Sequence, residues 1–400
     1  MPNPLENRQI ALGVTGSIAC FKAVDLASKL TQQRALVDVI MTRGALKFLT
    51  PLTFSSITHR DVVTDIFAPS SELSMDHVAL AQRADVVLIA PATANAIAKL
   101  AHGLADDALT TTVLATTAPV IVAPAMDAHM FDNPATQENV RKLESRGIVV
   151  AGPAEGRLAS GLTGKGRMLE PAELIAHLRM VLGRHGDLEG RKVVVSAGGT
   201  QEPIDPVRVI TNRSSGKMGF AIAEAARDRG ATALVVSAPS ALPDPVGVHV
   251  VHVETALQMR DAVVHACADA DALVMAAAVA DWRPVSQATS KVKKGASESW
   301  SVELTKNPDI LAAINHERLV KVGFAAESEE LLANARSKLI GKGLDLIAAN
   351  DITASDGGFA SDDNRVLLLD KAGAVEELPL MSKYEVGNRI LDRVVALLTR

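Results

Sequence analysis

Short apolar runs alternate with longer amphipathic stretches along the first half of the chain. The run at residues 10–14 is followed by a glycine turn, the helix-like stretch "IACFKAVDLASKL" and a second run, "ALVDVIMT". The runs "ADVVLIAPAT", "PVIVAPAMD" and "GIVVAGP" continue the pattern. Continuous β-branched runs separated by helices are typical of a parallel sheet that is covered on both faces. The first half is therefore predicted to be a doubly wound α/β domain.

This pattern stops at a polar, glycine-rich stretch and then starts again. The stretch "GRHGDLEGRK" has no apolar period, whereas "KVVVSAGGT", "ATALVVSAP", "GVHVVHV", "DALVMAAAVADW" and "LDLIAANDI" beyond it read as a second set of strands. We therefore predict two doubly wound, Rossmann-like α/β domains in tandem, at residues 1–183 and 193–400, with a linker at 184–192.

Composition narrows the class of protein. The 400 residues suit two domains, and 41 basic and 46 acidic residues are mixed without a long basic block. This argues against nucleic acid or an anionic membrane as the main partner. The cysteines Cys20 and Cys267 are too few for a disulfide framework or a cysteine-based zinc site. No run approaches the roughly 18 apolar residues of a membrane span and the N-terminus lacks a leader pattern, so we expect a cytoplasmic protein.

Two loops of the first half suggest ligand binding. In "GVTGSIA", at residues 13–19, the glycines and hydroxyls suit a phosphate group and equally suit an ordinary tight turn. In "APATAN", at residues 90–95, small residues at the carboxyl edge of the sheet leave room for a flat ring, although Thr93 also suits a helix cap. Together the loops favour a mononucleotide. His77, in "MDHVALA", suits a catalytic or a structural role because histidine titrates near neutrality.

The second half carries a larger set of polar groups. The segment "SAGGTQEPIDPVRVITNRSSGKMG" is long for a connection between strand and helix, which favours function. Asp281 ends a buried strand, where a carboxylate suits a magnesium ion, a ribose hydroxyl or a helix cap. Lys338 and Lys342 lie one helical turn apart. Lysines that converge on the carboxyl edge of a sheet favour a polyphosphate ligand.

The stretch "GRLASGLTGKGRM", at residues 156–168, has three possible roles: a phosphate loop, a linker or a lid. It fails as a Walker phosphate loop, because Ala159 stands where the pattern needs a glycine and Gly166 stands where it needs a hydroxyl. It also precedes the polar break at 184–192, so it is not the linker. We predict a glycine-hinged lid that folds over the active site of a neighbouring subunit.

These motifs resemble, in order and over nearly the full length, the bifunctional coenzyme A biosynthesis family. The resemblance rests on "GVTGSIA", "MDHVALA", "APATANAIAKLAHGLADD", "NPATQENV", "GKGRM", "SAGGTQEPIDPVR", "ITNRSSGKMG", "AAAVADW", "KNPDI", "GFAAE" and "DLIAAND". It implies an N-terminal FMN-dependent phosphopantothenoylcysteine decarboxylase and a C-terminal phosphopantothenate–cysteine ligase. The ligase would use CTP to activate 4'-phosphopantothenate as an acyl-cytidylate that L-cysteine attacks. The decarboxylase would convert the product to 4'-phosphopantetheine.

The resemblance also implies residue roles in the ligase half. Asn212 would contact the acyl-cytidylate, Asp281 would lie beside the nucleotide, and Lys291 would act at the CTP site. A divalent cation, Mg²⁺, would neutralise charge on the triphosphate, with Asp281 as its protein ligand. The remaining nucleotide and substrate contacts would be Met275, Ala276, Ala277, Asn307, Pro308, Asp309, Ile310, Phe324, Lys338 and Lys342.

In the decarboxylase half the resemblance makes His77 the active-site histidine. The two loops at the carboxyl edge and the end of the second strand would hold FMN. These cofactor residues are Gly13, Thr15, Gly16, Ser17, Thr42, Pro91, Ala92, Thr93, Ala94 and Asn95.

Two positions depart from the commonest family pattern. Asp127 stands where the family has an asparagine that helps to hold the substrate carboxylate, and Ser160 stands where it has a proton-donating cysteine in the lid. An aspartate repels a second carboxylate unless one of them is protonated, and serine is a weaker acid than cysteine. Either the decarboxylase is impaired or a coordinated variant uses Asp127 as the acid while Ser160 shapes the lid. We favour the coordinated variant.

Two other functions remain as alternatives. An active ligase with an impaired or regulatory flavin-binding domain accounts for Asp127 and Ser160. A nicotinamide oxidoreductase accounts for the tandem domains, but neither half carries its glycine fingerprint. The family resemblance further suggests a homo-oligomer in which trimers of the first domain and dimers of the second domain build a dodecamer.

Overall fold

The structure is a computed structural model of the chain. It describes residues 3–66, 76–293, 300–314, 316, 318–327, 331–351 and 361–399. The chain separates into two compact units, one formed by residues 3–182 and the other by residues 183–400 together with the first two residues. Each unit is built around its own sheet, so each is described by itself. No helix in the described ranges has both the length and the apolar character to span a membrane.

The first unit alternates strands and helices as the apolar pattern predicts. Most of its apolar runs form strands that are buried along nearly their whole length, as at Val86–Ala92, whereas the strand Val149–Val150 is only partly buried. The elements are β1 (Gln9–Val14), α1 (Cys20–Gln32), β2 (Leu36–Met41), α2 (Pro51–Thr58), β3 (Val62–Val63), α3 (Asp76–Arg83), β4 (Val86–Ala92), α4 (Ala94–His102), α5 (Ala108–Ala115), β5 (Val120–Pro124), α6 (Ala128–Asp132), α7 (Pro134–Ser145), β6 (Val149–Val150), β7 (Ala154–Arg157), β8 (Thr163–Arg167) and α8 (Pro171–Gly183).

The sheet of the first unit has the strand order β3-β2-β1-β4-β5-β6, and its paired strands run parallel. Apolar side chains fill both of its faces, with Leu12 and Leu88 on one side and Ile40 and Ile89 on the other. The chain leaves β1 toward one side of the sheet and leaves β4 toward the other. Such a switch point opens a crevice between the two loops at the carboxyl ends of the strands.

The predicted lid is an antiparallel hairpin formed by β7 and β8. Its turn closes where the N–H of Leu158 donates to the carbonyl of Leu162 at 2.8 Å. Gly161, in this turn, has a φ of +88°, a left-handed conformation that glycine adopts without strain. The base of the hairpin packs on the segment that leads into α6, because the N–H of Met126 donates to the carbonyl of Gly166 at 3.0 Å.

The second unit repeats the strand–helix alternation with several added hairpins. Its elements are β9 (Lys192–Ala197), β10 (Gln201–Pro203), β11 (Val209–Thr211), α9 (Lys217–Arg227), β12 (Thr232–Ser237), β13 (His249–His252), α10 (Ala256–Ala266), β14 (Ala272–Met275), β15 (Trp282–Pro284), β16 (Leu304–Lys306), β17 (Val320–Glu327), α11 (Leu331–Gly341), β18 (Leu346–Asp351), β19 (Asp363–Asn364), β20 (Val366–Asp370), β21 (Val375–Glu377), β22 (Met381–Ser382) and α12 (Lys383–Leu398).

The main sheet of this unit has the order β13-β12-β9-β14-β17-β18-β20-β21. The first six strands run parallel to one another. Strand β20 pairs antiparallel with β18, and β21 pairs antiparallel with β20. Its switch point lies between β9 and β14, as the doubly wound pattern requires. The predicted tandem of doubly wound α/β domains is therefore confirmed.

Three short antiparallel pairs stand apart from this sheet in the described residues, and β19 with β22 is the shortest. The other two are ribbons. One pairs β10 with β11 inside the long segment that follows β9, and the other pairs β15 with β16. The sequence pattern does not reveal either ribbon, because each of their strands has only three residues.

The segment predicted as a linker, 184–192, packs against the second unit. Leu188 is fully buried, and its N–H donates to the carbonyl of Arg229 at 3.0 Å. A Cβ on Gly186 would lie 2.5 Å from the same carbonyl oxygen, so only glycine fits this approach. The last residue of the segment, Lys192, already belongs to β9. This polar stretch is therefore an ordered part of the second unit and not a separate connector.

Candidate functional site

In the first unit, Thr15 ties together the loops that follow β1 and β4. Its hydroxyl, 2% exposed, donates to the carbonyl of Pro91 at 2.7 Å and accepts from the N–H of Thr93 at 3.0 Å. Thr93 in turn caps α4 by accepting a hydrogen bond from the N–H of Ala96. Two loops 76 residues apart in sequence thus form a single rigid edge.

The loops after β1 and β2 approach each other through glycine. A Cβ on Gly16 would lie 2.8 Å from backbone atoms of Gly44, and a Cβ on Gly44 would lie 3.1 Å from Gly16. This contact leaves a cavity of about 460 Å³ at the carboxyl edge of the sheet. Small residues and backbone form much of its wall, which suits a flat aromatic ligand with a phosphate tail.

Six of the ten residues predicted to hold a flavin line this cavity, namely Thr15, Gly16, Thr42, Thr93, Ala94 and Asn95. The other four do not line it. Gly13 is buried against Leu109, Ser17 lies in the turn before α1, and Pro91 and Ala92 lie within β4.

The sequence analysis did not single out the charged groups on this wall. Arg43 follows Thr42 at the end of β2, and Lys99 projects from α4. Lys99 is held by Asp106 at 2.7 Å and by Asp107 at 3.3 Å, and the hydrogen bond with Asp106 is the main cause of its raised pKa. In the sequence, only the opposite charges at the two ends of "KLAHGLADD" indicate that Lys99 pairs with Asp106 and Asp107. These pairs form across the turn that follows α4.

The two departures from the family pattern lie in direct contact. Ser160 Oγ donates to Asp127 Oδ2 at 2.5 Å, and the N–H of His129 donates to Asp127 Oδ1 at 3.0 Å. The hydrogen bond from Ser160, followed by the one from His129, lowers the pKa of Asp127 below its usual range. Asp127 is therefore a carboxylate that fastens the tip of the hairpin to the start of α6.

His77 lies in the first turn of α3. Its side chain is outside the described residues, so its predicted role in catalysis stays a prediction.

The second unit has a cavity of about 660 Å³ at the carboxyl edge of its sheet. Two asparagines fix its rim. Asn212 Nδ2 donates to the carbonyl of Val279 at 3.0 Å, and Asn307 Nδ2 donates to the carbonyl of Ala280 at 2.8 Å. These bonds hold the segments after β11 and before Leu311 against the loop that follows β14.

Nearly all the residues predicted for the ligase site line this cavity. They are Asn212, Met275, Ala276, Ala277, Asp281, Asn307, Pro308, Asp309, Ile310, Phe324, Lys338 and Lys342. Lys291 is the exception: it is exposed and is not among the lining residues. Asp281 is also exposed at the rim. The described residues contain no group of three or more metal-binding side chains.

Four lysines give this cavity a cationic wall. Lys338 comes from α11 and Lys342 directly follows that helix, and Lys342 Nζ lies 3.4 Å from Asp309. Lys217 begins α9 and pairs with the exposed Asp362 at 2.7 Å, whereas Lys383 begins α12.

Lys383 is the residue of this wall that sequence reasoning missed. It is only 6% exposed, and its Nζ donates to the carbonyl of Ser361. Burial, and then repulsion from Lys217, lowers the pKa of Lys383 despite the opposing charges of Asp362 and Asp363. Lys217 and Lys383 thus place two positive charges at one end of the cavity, close to the carboxylates of Asp362 and Asp363. No motif signals it, because Lys383 follows Lys217 by well over a hundred residues.

The comparisons with known proteins assign both halves. The family model described as "Flavoprotein" matches residues 1–183, and "DNA/pantothenate metabolism flavoprotein C-terminal domain" matches residues 188–398. The coenzyme A biosynthesis bifunctional protein CoaBC of Vibrio cholerae is 45% identical over 394 residues, which are 98% of this chain and 98% of that protein. The chain belongs to the CoaBC family. It is therefore a bifunctional enzyme of coenzyme A biosynthesis.

Further relatives extend across distant bacteria. The CoaBC proteins of Bacillus subtilis and Mycobacterium tuberculosis are each 44% identical, covering 98% of this chain and 98% and 97% of theirs. Among solved structures, the C-terminal domain of a CoaBC protein is 38% identical and covers 54% of this chain and 98% of that one, with a TM-score of 0.46. A cysteine-to-serine mutant of a PPC decarboxylase, complexed with pantothenoylaminoethenethiol, is 33% identical over 44% of this chain and 98% of that one, with a TM-score of 0.40.

Family membership confirms the prediction of a flavoprotein decarboxylase domain joined to a ligase domain. It does not favour an impaired or regulatory first domain, because the similarity extends through the whole of both domains.

Proposed function

We propose that the second unit joins L-cysteine to 4'-phosphopantothenate at the expense of CTP, and that the first unit decarboxylates the product to 4'-phosphopantetheine. The observation that carries this proposal is the wall of four lysines in a cavity whose rim also carries Asn212, Asp281 and Asn307. In such a ligase, CTP and 4'-phosphopantothenate would both bind in this cavity. Both carry phosphate groups, so their binding requires a high density of positive charge.

The ligase chemistry requires activation of a carboxylate. A carboxylate is a poor acyl donor, and attack on the α-phosphate of CTP converts it to an acyl-cytidylate and releases pyrophosphate. The amine of cysteine then attacks the acyl carbon and CMP leaves. Asn212 lies at the rim where the mixed anhydride forms, and its position is held by the bond to Val279. Lys338, Lys342 and Lys291 stabilise charge on the triphosphate.

We assign Mg²⁺ to the same triphosphate, with Asp281 as its protein ligand. Magnesium commonly binds through one or two carboxylates together with substrate phosphates and water. A single exposed carboxylate at the cavity rim fits that pattern, whereas a site made only of protein ligands would need more acidic groups than the described residues gather here.

The 4'-phosphate of phosphopantothenate binds between Lys217 and Lys383 in this proposal. These lysines begin α9 and α12, so the partial positive charge at each helix N-terminus adds to theirs. The phosphate displaces Asp362 from Lys217. Lys338 on α11 and Lys342 just after it are left for the nucleotide.

FMN fits the cavity of the first unit, where the close approach of Gly16 and Gly44 and the rigid Thr15 edge leave room for a ring and its phosphate. When bound, FMN supplies the reversible electron acceptance that stabilises the loss of CO₂. Thr15 and Thr93 orient the ring edge, and Arg43 supplies positive charge on the wall. His77 acts on the substrate beside it.

We assign the final proton of the decarboxylase reaction to Asp127. In the structure Asp127 accepts from Ser160 and His129 and is ionised. A substrate carboxylate that enters beside it makes the two acids share a proton, which raises the pKa of Asp127. Once CO₂ has left and removed the competing charge, Asp127 would donate the proton that accompanies the hydride from the reduced flavin, so that the ene-thiol is reduced to the saturated thiol. Ser160 shapes the lid by holding its tip at Asp127.

The two-step assay tests this proposal. Purified protein with CTP, Mg²⁺, 4'-phosphopantothenate and cysteine should release pyrophosphate and form phosphopantothenoylcysteine. With FMN bound it should continue to 4'-phosphopantetheine, as followed by mass spectrometry. Asp127→Asn should stop at a product that is lighter than phosphopantetheine by two hydrogen atoms. Normal reduction by Asp127→Asn would contradict the role of Asp127, and absence of pyrophosphate release by the native chain would contradict the ligase assignment.

We also propose a homo-oligomer, with trimers of the first unit, dimers of the second and a dodecamer as the largest assembly, in the cytoplasm. Exposed apolar side chains at the start of α1 and on α2 support self-association, since Ile18, Phe21 and Leu52 are 61%, 62% and 71% exposed. Light scattering should give a mass of twelve chains; a monomer at micromolar concentration would contradict the assembly.

A further inference from the structure

Two ribbons rise from the rim of the ligase cavity. The ribbon β10–β11 ends at Asn212, and the ribbon β15–β16 runs from Asp281 to Asn307. The N–H of Asn307 donates to the carbonyl of Asp281 at 2.8 Å, so the second ribbon closes at its base. Each ribbon therefore begins or ends at a residue of the cavity.

The far ends of the ribbons are joined by one buried carboxylate. Asp205, 1% exposed, lies in the turn between β10 and β11. Its Oδ1 accepts from the N–H groups of Val207 and Arg208, each at 2.8 Å. Its Oδ2 accepts from the N–H of Val292 at 3.2 Å, across 87 residues of sequence. One oxygen thus shapes its own turn while the other holds the second ribbon.

Two further contacts strengthen this junction. Arg208 Nη1 lies 2.9 Å from Asp205 Oδ2 and donates to the carbonyl of Val292 at 3.2 Å. The guanidinium of Arg208 also lies over the ring of Trp300, 5.2 Å from its centre. Although burial opposes it, donation from Val207, Val292 and Arg208 lowers the pKa of Asp205. Asp205 is therefore charged at neutral pH.

Lys291 is the residue next to this junction. It is exposed and does not line the cavity, and its backbone is held through the neighbouring Val292, whose N–H is bound by Asp205. We propose that Asp205 is a positioning residue, which clasps the two ribbons so that Lys291 is held over the nucleotide. This inference rests on the proposed ligase function and on the role of Lys291 in it.

The substitution Asp205→Asn distinguishes the roles of the two carboxylate oxygens. An asparagine keeps one acceptor for the N–H groups of its own turn, but its amide places a donor opposite the donors of Val292 and Arg208. The turn is retained while the clasp is lost. We expect the KM for CTP to rise about tenfold with a smaller change in kcat, since a charge-assisted contact is removed away from the reacting atoms.

A double-mutant cycle tests whether Asp205 acts through Lys291. Pyrophosphate release is measured for the native chain, Asp205→Asn, Lys291→Ala and the double variant. If Asp205 positions Lys291, the substitution at 205 adds nothing once Lys291 is absent. Multiplicative effects in the double variant, or an unchanged KM in Asp205→Asn, would overturn the proposal. Asp261→Asn, which breaks an exposed ion pair with Arg260 on α10, is the matched control and should change neither constant.

A second variant covers the case in which Asp205→Asn does not fold. The N–H of Ala288 donates to the carbonyl of Ile204 at 2.9 Å, which also joins the ribbons, and Ala288→Pro removes this donor while Asp205 stays in place. It should raise the KM for CTP in the presence of Lys291 and not in its absence. An equal rise in both backgrounds would overturn the proposal. Loss of pyrophosphate release from the native chain itself would instead refute the ligase assignment.

Discussion

The two cavities occupy the same place in their sheets but are lined by different chemistry. The wall of the first is built from backbone, threonine and small residues, and its Lys99 is already paired with Asp106 and Asp107. The wall of the second carries four lysines, of which Lys383 is nearly fully buried. Equivalent positions in doubly wound sheets therefore suit a flat cofactor in one case and a pair of phosphorylated substrates in the other.

The difference follows from what each loop contributes. The loops after β1 and β2 touch through Gly16 and Gly44. This close contact makes the shape of the first cavity, rather than its charge, the feature that selects a ligand. Around the second sheet the helices α9, α11 and α12 each present a lysine to the cavity. Variants that change the shape of the first cavity or the charge of the second cavity test this difference.

The largest effect is expected from Gly16→Ala. The added Cβ would lie 2.8 Å from the Gly44 backbone, which cannot yield as a flexible side chain does. Overpacking of this kind costs about 1–3 kcal/mol, so FMN binding should weaken by about tenfold to a hundredfold. Flavin fluorescence titration measures it. Gly44→Ala, with a closest contact of 3.1 Å, should lose less, and a greater loss there would contradict the shape argument.

Lys383→Ala should act only on the ligase. Removal of a buried charge that faces a phosphate costs about 1.5–3 kcal/mol, so the KM for 4'-phosphopantothenate should rise by roughly tenfold to a hundredfold. Initial rates of pyrophosphate release at varied substrate test this. Flavin binding by the first unit should not change. Lys383→Arg should recover part of the affinity, and full activity of Lys383→Ala would place the phosphate elsewhere.

The same lysine predicts a pH dependence. Burial and Lys217 lower the pKa of Lys383, and a bound phosphate favours its charged form, so substrate binding is strongest below that lowered pKa. The KM for 4'-phosphopantothenate should therefore rise as pH increases, and it should do so below the ordinary titration range of a lysine. In Lys383→Arg the rise should move to higher pH. An identical pH profile in both proteins would show that another group titrates.

The smallest effect is expected from Ser160→Ala. The hydrogen bond from Ser160 is the main cause of the lowered pKa of Asp127, so its removal should raise that pKa toward the usual range. Carboxyl NMR titration of the flavin-free protein measures the change. Decarboxylase activity should fall only a few-fold, because the proton still comes from Asp127. An unchanged pKa would mean that the hydrogen bond seen at 2.5 Å does not persist in solution.

The sequence alone predicts the fold of both units and many of the residues that line the two cavities. Alternating apolar runs are a local property, and they predict the strands of both sheets because a strand that is buried on both faces needs such a run. The motifs likewise place Thr15 and Thr93 directly after the strands β1 and β4. In a parallel sheet these ends share one edge.

Other features arise only when distant segments meet. The polar stretch 184–192 looks like a connector, yet Leu188 is buried within the second unit. The ribbons β10–β11 and β15–β16 are too short to show a period, and Asp205 clasps them across 87 residues. Lys383 is buried beside Lys217, an environment that its own neighbours in sequence do not signal.

By itself the sequence determined two doubly wound domains, and its turn residues and lysines favoured a mononucleotide at the edge of the first sheet and a polyphosphate at the edge of the second, because period and turn chemistry are encoded locally. It also revealed Asp127 and Ser160 as departures. Only the tertiary structure decided that these two residues share a hydrogen bond, with the serine as donor and the aspartate ionised. Hydrogen-bond direction and pKa depend on what surrounds a group in space, and sequence spacing carries no record of that.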